Sequence, residues 1–304
     1  MGRSQRRLCI LASALALGAV GCSPGLGPSH DWVPFDRLEG PLRPEACQPS
    51  EEPAAGDRLR LVTFNVHGGE DVEAIAGAFL ASPALAGADL AFLQEIRSYP
   101  AEGRSRAARL ADALGMGYAY APARTVDDGT HGLAILTRFP LENLAVMELP
   151  RAELPLDTER RIALQADVTL GGKTLRLVGV HLDTRLNAPE RILQLRPAII
   201  ALPPWSVVAG DFNTNPELWA LRTVPDLAAQ ALGGTDQAPI LDNYMASLGF
   251  ANPTAAFGPT VSFPGLTPHL DSLYVRGSEP AGGTVERDIA VSDHWPVWLD
   301  LLIP

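Results

Sequence analysis

Two polar side chains at the end of one apolar segment are the first candidates for chemistry in this sequence. Residues 205–214 read WSVVAGDFNT. The Val-Val-Ala run is typical of a short buried strand, and Gly210 allows a turn where a side chain would crowd the backbone. Because side chains alternate along a strand, Asp211 and Asn213 can point to one face. A lone Gly-Asp-x-Asn is also ordinary turn chemistry, so a functional interpretation depends on the rest of the chain.

Other polar residues also follow apolar runs that are predicted as strands. They are Asn65, Glu95, His181, Asp271, Asp293 and His294. Chemistry in open α/β sheets usually lies at strand ends, so we expect these side chains to converge in one pocket. Glu95, Asn65 and Asp293 offer carboxylate and carbonyl oxygens, which are the ligands that Mg²⁺ prefers and that also suit Mn²⁺.

Histidine adds proton transfer and phosphate binding to this set. Imidazole changes its charge near neutral pH, and a neighbouring carboxylate fixes its tautomer. We therefore expect His294 to pair with Asp271, and Asp211 to orient an attacking water. Each residue alone also has a structural explanation, as a solvated loop or a hydrogen-bonded strand end. We interpret His131 as a satisfied structural histidine. Three arginines are interpreted as surface charge, with phosphate binding as the alternative: Arg97, Arg160 and Arg161.

The elements that must position these residues are mostly strands. Apolar runs and alternation predict strands at 59–64, 89–93, 118–121, 133–136, 141–149, 161–170, 173–180, 207–209, 270–275, 285–291 and 297–301. Helices are predicted at 71–80, 104–114, 189–202, 216–221 and 239–248. Two halves rich in strands and separated by helices indicate an α/β fold of two packed sheets with helices outside.

Composition divides the chain into three parts. Residues 1–21 have a basic start, an apolar run too short to span a bilayer and a small-residue cleavage site, which predict a signal peptide. The next residue, Cys22, resembles the acylated cysteine of a bacterial lipoprotein, and the alternative is an ordinary cleaved signal. Residues 22–57 are rich in Pro and Gly and predict a tether, in which Trp32 and Phe35 are expected to dock on the domain. Residues 58–304 form the predicted catalytic domain.

Charge and cysteine content narrow the function further. Removal of residues 1–21 leaves 21 basic and 35 acidic residues, a net charge of about −14. This charge argues against a broad nucleic-acid footprint, although a local basic groove is compatible with it. Cys9 leaves with the signal and Cys22 takes the lipid, so Cys47 has no partner and no disulfide is expected.

The motifs, taken in order, resemble those of one superfamily. FNVH, LQEI, HGLAILTR, VGVHLD, VAGDFNT, HLDSLYV and SDHWPV resemble the endonuclease/exonuclease/phosphatase superfamily, which includes deoxyribonucleases, apurinic-site endonucleases, neutral sphingomyelinases and inositol polyphosphate 5-phosphatases. The resemblance runs from about Arg58 to the C terminus. It implies a four-layer α/β sandwich, with two mainly antiparallel sheets packed face to face and helices outside, and metal-dependent cleavage of a phosphoester by an activated water.

The resemblance also implies roles for individual residues. The implied metal site consists of Asn65, Glu95 and Asp293, with Glu95 as the principal ligand. The implied catalytic set consists of His181, Asp211, Asn213, Asp271 and His294. In it His181 binds phosphate, Asp211 and Asn213 orient water and phosphate, and Asp271 holds His294. His67 stands where some branches of the superfamily carry an acid.

We therefore expect a Mg²⁺-dependent phosphodiesterase or phosphomonoesterase, monomeric and anchored in the cell envelope, outside the cytoplasm, through lipidated Cys22. The substrate stays open among a lipid head group, a nucleic acid and a small phosphate ester. The alternatives are an extracytoplasmic nuclease of the deoxyribonuclease type and a non-catalytic envelope binding protein, although Glu95, Asp211 and His294 are all retained. The motifs GDxH and GNH(E/D) of calcineurin-like phosphatases are absent.

Overall fold

The computed structural model of the protein describes residues 32–33, 43–50, 53, 56–153, 159–214, 237–262 and 268–304. The predicted signal peptide, Cys22, Phe35 and the helix predicted at 216–221 lie outside these residues. No helix in the described part of the chain is long and apolar enough to cross a membrane. Cys47 is an exposed free thiol.

Twelve strands and five α-helices form among the described residues. The strands are β1 (Glu45–Cys47), β2 (Arg58–Gly68), β3 (Leu90–Ser98), β4 (Gly117–Val126), β5 (Gly129–Thr137), β6 (Glu142–Glu148), β7 (Ile162–Leu170), β8 (Lys173–His181), β9 (Ser206–Asp211), β10 (Asp271–Arg276), β11 (Pro280–Val285) and β12 (Val297–Leu302). The helices are α1 (Val72–Ala81), α2 (Pro83–Ala86), α3 (Arg106–Leu114), α4 (Ala188–Ile199) and α5 (Ala238–Ser247). Two 3₁₀ turns, Pro100–Glu102 and Pro253–Phe257, complete the set.

The strands form two sheets. One sheet has seven strands in the order β1-β4-β5-β3-β2-β12-β11, and the other has five in the order β10-β9-β8-β7-β6. Only the pairs β2–β3 and β8–β9 are parallel among these described strands. The prediction of two mainly antiparallel sheets is confirmed.

The molecule has four layers, two sheets with helices on both outer faces, and three apolar clusters lie between them. Leu61 and Phe92 of the first sheet and Leu177 of the second lie in the central cluster between the sheets. The outer face of the seven-stranded sheet packs against α1–α3, and the outer face of the five-stranded sheet against α4 and α5. Successive residues of β2, Leu61 and Val62, belong to different clusters, because side chains alternate across a strand whose two faces are both covered.

Short polar residues fix the helix ends near the predicted positions. The Asp71 carboxylate accepts a hydrogen bond from the Ala74 N–H at the start of α1. The Ser105 hydroxyl accepts one from the Ala108 N–H at the start of α3. These side chains satisfy donors that a helix leaves unpaired at its N terminus. Gly115, in the left-handed conformation, ends α3.

Two predicted strand boundaries are wrong. The strand expected at 285–291 lies upstream as β11, and residues 286–291 form turns instead. Ile289 and Val291 are apolar because they pack against the outer cluster of the seven-stranded sheet, which produces alternation without a strand. The second strand was expected to end at residue 93, but β3 continues through Glu95 to Ser98.

Part of the predicted tether is attached to the domain. β1 pairs with β4 at the edge of the seven-stranded sheet. Trp32 forms an isolated bridge with Ala152, as expected for a docked aromatic residue. A three-residue edge strand carries too short a pattern to be recognised in the sequence.

Candidate active site

Strand ends from both sheets meet at one edge of the sandwich. Asn65 and Glu95 come from the parallel pair β2–β3, and His181 and Asp211 end the parallel pair β8–β9. Asp271 begins β10 directly opposite Asp211. Side chains that the sequence predicts to converge therefore lie at the same edge of the two sheets.

Asp211 lies at the centre of this group and is buried. One carboxylate oxygen, Oδ1, accepts a hydrogen bond from the Asn213 N–H at 2.9 Å. The other, Oδ2, accepts one from Asn65 Nδ2 at 3.2 Å. His181 Nε2 is 3.4 Å from the same oxygen and His294 Nε2 is 3.8 Å from it. Four of the predicted residues thus surround a single carboxylate.

Gly210 allows the strand pairing that aligns Asp211 with His181. Its φ is +150°, and a Cβ atom at this position would collide with the Val180 carbonyl of β8. Any other residue would therefore push β9 away from β8, in which His181 and Asp211 are register partners. The glycine of the GDFN motif is required by the close approach of two strands.

Asp271 and His294 form a buried pair. The His294 Nδ1–H donates to Asp271 Oδ2 at 2.8 Å, with the proton assigned from its carboxylate partner. The Thr260 hydroxyl donates to the same oxygen at 2.7 Å. Asp271 Oδ1 is buried and has no hydrogen-bond partner among the described residues. The fixed Nδ1 leaves Nε2 of His294 facing the centre of the site.

Glu95 reaches the site from a bulge in β3. The pairing of β3 with both neighbours shifts here, and Glu95 has a left-handed φ of +60°. His67 and Asn213 also have positive φ, so three of the five non-glycine residues with this conformation in the described part of the chain lie at the site. Such backbone costs about 1–3 kcal/mol and is found most often at functional positions.

The Asn65 amide holds two carboxylates together. Its Nδ2 donates to Glu95 Oε1 at 3.1 Å as well as to Asp211, and its Oδ1 accepts from the His67 N–H at 3.1 Å. In this orientation the Asn65 amide nitrogen bridges Glu95 and Asp211, and a metal role for its oxygen stays a prediction. The other amide of the set, Asn213, donates to the Leu182 carbonyl at 2.9 Å.

Asp293 lies at the rim of the site. Its carboxylate is 3.3 Å from His67 Nδ1. The neighbouring Ser292 hydroxyl donates to the Asn65 carbonyl at 2.7 Å and accepts from the His294 N–H. The side chains of Asp293 and Glu95 are 33% and 27% exposed, so both can meet solvent or substrate.

Burial and neighbouring charges set the protonation states at the centre. Burial, and then the charge of Asp271, raise the pKa of Asp211 to about 7. Burial alone would lower the pKa of His294, but the charge and hydrogen bond of Asp271 outweigh it and raise this pKa to about 10. Near neutral pH the site therefore contains a weakly basic carboxylate beside a protonated imidazole.

The pKa values of the two outer groups, His181 and Glu95, are both lowered, whereas those of Asp211 and His294 are raised. Burial, reinforced by the charge of Arg161, lowers the pKa of His181 well below its ordinary value, so this imidazole is neutral. Burial opposes ionisation of Glu95, but the adjacent His131, with its Nε2 3.8 Å from Glu95 Oε2, and the hydrogen bond from Asn65 hold the pKa of this carboxyl well below its usual range. Glu95 is thus an anion over the physiological pH range.

The donor set fits a divalent cation. Asp211, Asp271 and His294 each have a ligand atom within 4.8 Å of the others, but the last two are already hydrogen-bonded to each other. Glu95 and Asp293 are more accessible carboxylates, and a metal that also binds substrate needs open positions. The unpartnered oxygen of Asp271 and the raised pKa of Asp211 indicate uncompensated negative charge. A cation would relieve it.

Two arginines beside this group are buried, contrary to the prediction, and the histidine next to them is a buried neighbour of Glu95. Arg160 and Arg161, interpreted as surface charge, are each only 6% exposed. His131, interpreted as a structural histidine, has Nε2 3.8 Å from Glu95 Oε2. The signal available in the sequence was the position of two consecutive arginines directly before a strong strand pattern.

Comparison with known proteins identifies the family. The sequence profile of the endonuclease/exonuclease/phosphatase family matches residues 62–294. The Escherichia coli (strain K12) protein named "Uncharacterized protein YbhP" is 27% identical over 197 residues, which cover 62% of this chain and 69% of YbhP.

Solved structures share the fold. An endonuclease/exonuclease/phosphatase from Beutenbergia cavernae DSM 12333 matches with a TM-score of 0.62 and 20% identity, over 82% of this chain and 72% of that one. D. rerio TDP2 complexed with single strand DNA product matches with a TM-score of 0.54 and 18% identity, over 82% of this chain and 100% of that one. These likenesses support the four-layer sandwich. With a family profile that spans most of its length, this chain belongs to the endonuclease/exonuclease/phosphatase family.

Proposed function

We propose that this chain is a Mg²⁺- or Mn²⁺-dependent phosphoester hydrolase that uses an activated water, as a phosphodiesterase or a phosphomonoesterase. Members of the family hydrolyse phosphoesters with the help of a divalent metal. The observation that carries the proposal is the buried Asp211 carboxylate, with a pKa raised to about 7 and with Asn65, His181 and His294 around it.

Asp211 is suited to be the general base. A base works best when its pKa lies near the operating pH, because it is then both available and strong enough to take a proton. The hydrogen bonds from Asn213 and Asn65 fix the direction of the carboxylate. In the proposed step, Asp211 Oδ2 accepts a proton from a water molecule as the water oxygen forms a bond to phosphorus. The bond between phosphorus and the ester oxygen breaks, and the departing oxygen takes up a proton from solvent.

His181 and His294 are suited to stabilise the charge that develops on the phosphoryl oxygens. Both place Nε2 within 4 Å of Asp211 Oδ2. His294 is protonated at neutral pH because of Asp271, and it can donate a hydrogen bond from Nε2 while Nδ1 stays on Asp271. Fixed donors aimed at developing charge are usually the largest contribution to such catalysis.

Glu95 and Asp293 would hold the metal, with Asn65 keeping Glu95 in place. Their carboxylates are the more exposed ones of the set, which leaves room for water and substrate. A divalent cation at this position supplies Lewis-acid stabilisation of a phosphoryl oxygen.

For substrate class, we propose a small or membrane-borne phosphoester over duplex DNA. The chain carries a formal charge of −11, and a polyanion such as duplex DNA is bound chiefly through phosphate contacts with basic residues. Lipidation of Cys22 would hold the enzyme at the cell envelope, outside the cytoplasm.

The test is a hydrolysis panel with the purified protein. It compares sphingomyelin, phosphoinositides, simple phosphomonoesters, RNA and plasmid DNA with Mg²⁺, with Mn²⁺ and after chelation. We expect turnover of a non-DNA substrate that chelation abolishes and Mg²⁺ or Mn²⁺ restores. Absence of metal-stimulated hydrolysis across the panel, or full turnover after exhaustive chelation, would contradict the hydrolase. Efficient plasmid nicking at physiological salt would overturn the ranking of substrates.

Asp211→Asn is the diagnostic variant in the same panel. The amide has nearly the same volume but cannot accept the proton, so kcat should fall about 100- to 10,000-fold, the usual contribution of a general base. Asp127→Asn is the matched control, because Asp127 is exposed at the turn between β4 and β5 and tolerates asparagine at its positive φ. Wild-type rates in Asp211→Asn would remove the basis of the proposal.

A further inference from the structure

An accessible histidine lies beside the two carboxylates that are proposed to hold the metal. The side chain of His67, near the end of β2, is 66% exposed, and its Nδ1 is 3.3 Å from Asp293 Oδ1. An exposed ion pair of this kind contributes little to stability, so the contact by itself does not require a histidine. A metal ion bound between the two side chains would use both atoms.

The distance between these two atoms suits neighbouring ligands of one ion. Bonds from a small divalent ion to nitrogen or oxygen are about 2.0–2.2 Å long, so two ligands at octahedral or tetrahedral angles lie about 2.8–3.6 Å apart. The 3.3 Å between His67 Nδ1 and Asp293 Oδ1 falls in this range. The pair can therefore bind one ion in nearly its present arrangement.

Hydrogen bonds of Asn65 hold the side chains of this rim together. The His67 N–H donates to Asn65 Oδ1 at 3.1 Å, and the hydroxyl of Ser292, next to Asp293, donates to the Asn65 carbonyl at 2.7 Å. The amide nitrogen of Asn65 donates to Glu95 Oε1 at 3.1 Å. One residue thus connects the histidine with both carboxylates, although they come from three separate segments of the chain.

In the described part of the chain, the ion pairs of Glu95 and Asp293 are all with histidines. Glu95 is 3.8 Å from His131 and 4.0 Å from His181. Burial lowers the pKa of both these imidazoles, so they are neutral near pH 7 and do not neutralise Glu95. Carboxylates with only imidazole partners are a donor set that suits a metal ion.

The site as a whole is negative, even with the nearby arginines included. Four carboxylates belong to it: Glu95, Asp211, Asp271 and Asp293. Against them stand the imidazolium of His294 and one positive charge in excess where Arg124 and Arg161 share Glu159. When Asp211 is ionised, a divalent cation would balance the remaining negative charge.

The rim forms an open site and not a closed cluster. One group of described residues has all of its ligand atoms within 4.8 Å of one another: Asp211, Asp271 and His294. The side chains of His67, Asp293 and Glu95 are spread more widely and are partly exposed. A catalytic ion needs open positions for substrate, whereas closed sites are structural, so the open rim suits the proposed function.

We propose that His67 is a protein ligand of the catalytic metal, together with Asp293 and Glu95, and that the site therefore binds Mn²⁺ in preference to Mg²⁺. Mg²⁺ takes oxygen ligands, whereas transition-metal ions also bind imidazole nitrogen. This inference rests on the proposed hydrolase function and specifies its metal.

Electron spin-echo spectroscopy of Mn²⁺ tests the ligand directly, on the full chain after chelation and reloading. A bound imidazole nitrogen modulates the echo of the ion, and we expect this modulation in the wild type. His67→Asn should remove it, and asparagine tolerates the positive φ of residue 67. His269→Asn is the matched control, because both ring nitrogens of His269 are hydrogen-bonded, to Gly258 and Ser272, and it should keep the modulation.

Several results of this experiment would overturn the proposal. They are a wild type that binds no Mn²⁺, bound Mn²⁺ without nitrogen modulation, and modulation that persists in His67→Asn. Modulation that is lost only in His294→Ala would place the ion in the buried group of Asp211, Asp271 and His294 instead.

Calorimetric titration of Mn²⁺ and Mg²⁺ into the chelated chain separates loss of a ligand from loss of structure. In the wild type, Mn²⁺ should bind about 10-fold more tightly than Mg²⁺. His67→Asn should weaken Mn²⁺ binding at least about 10-fold, since loss of even the hydrogen-bond partner of a ligand often costs that much, and should change the Kd of Mg²⁺ less than about threefold. Equal affinities in the wild type, or equal losses of both ions in His67→Asn, would contradict the proposal.

His67→Asp provides a gain that loss of structure cannot produce. Aspartate also tolerates the positive φ and completes a set of oxygen ligands, so Mg²⁺ should bind several-fold more tightly than in the wild type. Glu70→Gln is the matched control for charge, because Glu70 is an exposed carboxylate paired with Arg97 at 3.8 Å. Its metal affinities should stay close to those of the wild type. Unchanged Mg²⁺ binding in His67→Asp, or an equal change in Glu70→Gln, would refute the assignment.

The hydrolysis panel distinguishes this inference from the proposed function. Metal-dependent hydrolysis together with nitrogen modulation that persists in His67→Asn would leave the proposed function intact and remove this inference. Modulation that depends on His67, in a protein without hydrolase activity, would leave the metal ligand and remove the proposed function. The two proposals can therefore fail independently.

Discussion

At the scale of single residues, two aspartates of similar burial have different partners and therefore different tasks. Asp211 receives its hydrogen bonds from the amide groups of Asn65 and Asn213, and burial leaves it a weak base. Asp271 receives a hydroxyl and an imidazole, from Thr260 and His294. The negative charge of Asp271 keeps the imidazole of His294 protonated. Because the two carboxylates are about equally buried, their hydrogen-bond partners decide which of them can accept a proton from water.

The pairing of Asp271 with His294 predicts strong non-additivity. His294→Ala removes a phosphate donor. Asp271→Asn replaces the anionic acceptor with an amide, which no longer keeps the imidazole protonated and can leave it misoriented or in the wrong tautomer. Each should lower kcat about 100- to 10,000-fold. Because Asp271 acts through His294, Asp271→Asn should have little further effect in the His294→Ala background. The measurement is a double-mutant cycle on kcat with thermal melting of each variant. Additive losses would show that the two residues do not work as a pair.

The ordered set of motifs predicted most of the residues that meet at the site, although each polar strand end taken alone also has a structural explanation. The sequence could not show which way the Asn65 amide points, since that depends on Glu95 and Asp211 from other strands. It could not show the burial of Arg161 either. Two arginines before a strand are usually exposed, and only the neighbouring sheet and Glu159 make burial possible here.

At the scale of elements, the contact between β8 and β9 decides the alignment of the site. Gly210→Ala would force β9 away from the Val180 carbonyl, at a cost of about 1–3 kcal/mol for added volume in a packed interior. We expect a lower melting temperature and a loss of kcat, because His181 would no longer face Asp211. Gly77→Ala is the matched control. Gly77 lies in α1 with open space around its Cβ position, so alanine should stabilise by about 1 kcal/mol. Unchanged activity in Gly210→Ala would refute this account of the motif.

Another element contact, between β10 and α5, predicts how stability depends on pH. Tyr274 of β10 donates to Asp242 of α5 at 2.7 Å. Burial, and then the charge of Asp242, raise the pKa of Tyr274 well above its ordinary value. The folded chain therefore keeps this phenol neutral where the unfolded chain ionises it. Its contribution to stability is complete below about pH 10 and declines as the pH rises further.

Urea unfolding between pH 8 and 11.5 measures this effect. The wild-type free energy of unfolding should fall above about pH 10, with a limiting slope near 1.4 kcal/mol per pH unit for each such phenol. Tyr274→Phe should be less stable at pH 8 but should lose less with rising pH. Burial also raises the pKa of Tyr120, to about 12, so Tyr120→Phe serves as the comparison. The same slope in wild type and Tyr274→Phe would contradict the assignment.

The prediction of strands was wrong where apolar alternation in the sequence had a cause other than a strand. Apolar alternation at 285–291 reflects contacts of a turn with the outer cluster, while the glycine-containing β11 pairs with β12 despite weak strand propensity. The bulge at Glu95 is invisible in the sequence, because a continuous apolar run does not reveal a change of register. Yet this bulge turns Glu95 towards Asn65.

At the scale of the whole molecule, the net charge is negative, but basic side chains lie beside the catalytic group. The chain is acidic overall with a formal charge of −11, while Arg124, Arg160 and Arg161 gather beside the catalytic group. An acidic surface weakens long-range attraction of polyanions, whereas the buried charges of Arg160 and Arg161, each 6% exposed, are screened less than surface charges. This distribution of charge supports the proposal of a small or membrane-borne phosphoester over duplex DNA.

The position of the enzyme in the cell provides the last prediction. Cys22 follows a signal-like segment and a small-residue cleavage site, so we expect it to be acylated and to hold the protein on a membrane. Cys22→Ser should abolish labelling by a clickable fatty acid and leave the precursor uncut by lipoprotein processing. If another peptidase removes the signal segment, the protein should leave the membrane fraction. Cys47→Ser is the matched control, because Cys47 is an exposed free thiol in the described part of the chain and should keep wild-type labelling. One acyl chain binds membranes only marginally, so stable retention needs at least two. An unlabelled wild type, or label retained in Cys22→Ser, would refute the anchor and leave the hydrolase proposal unaffected.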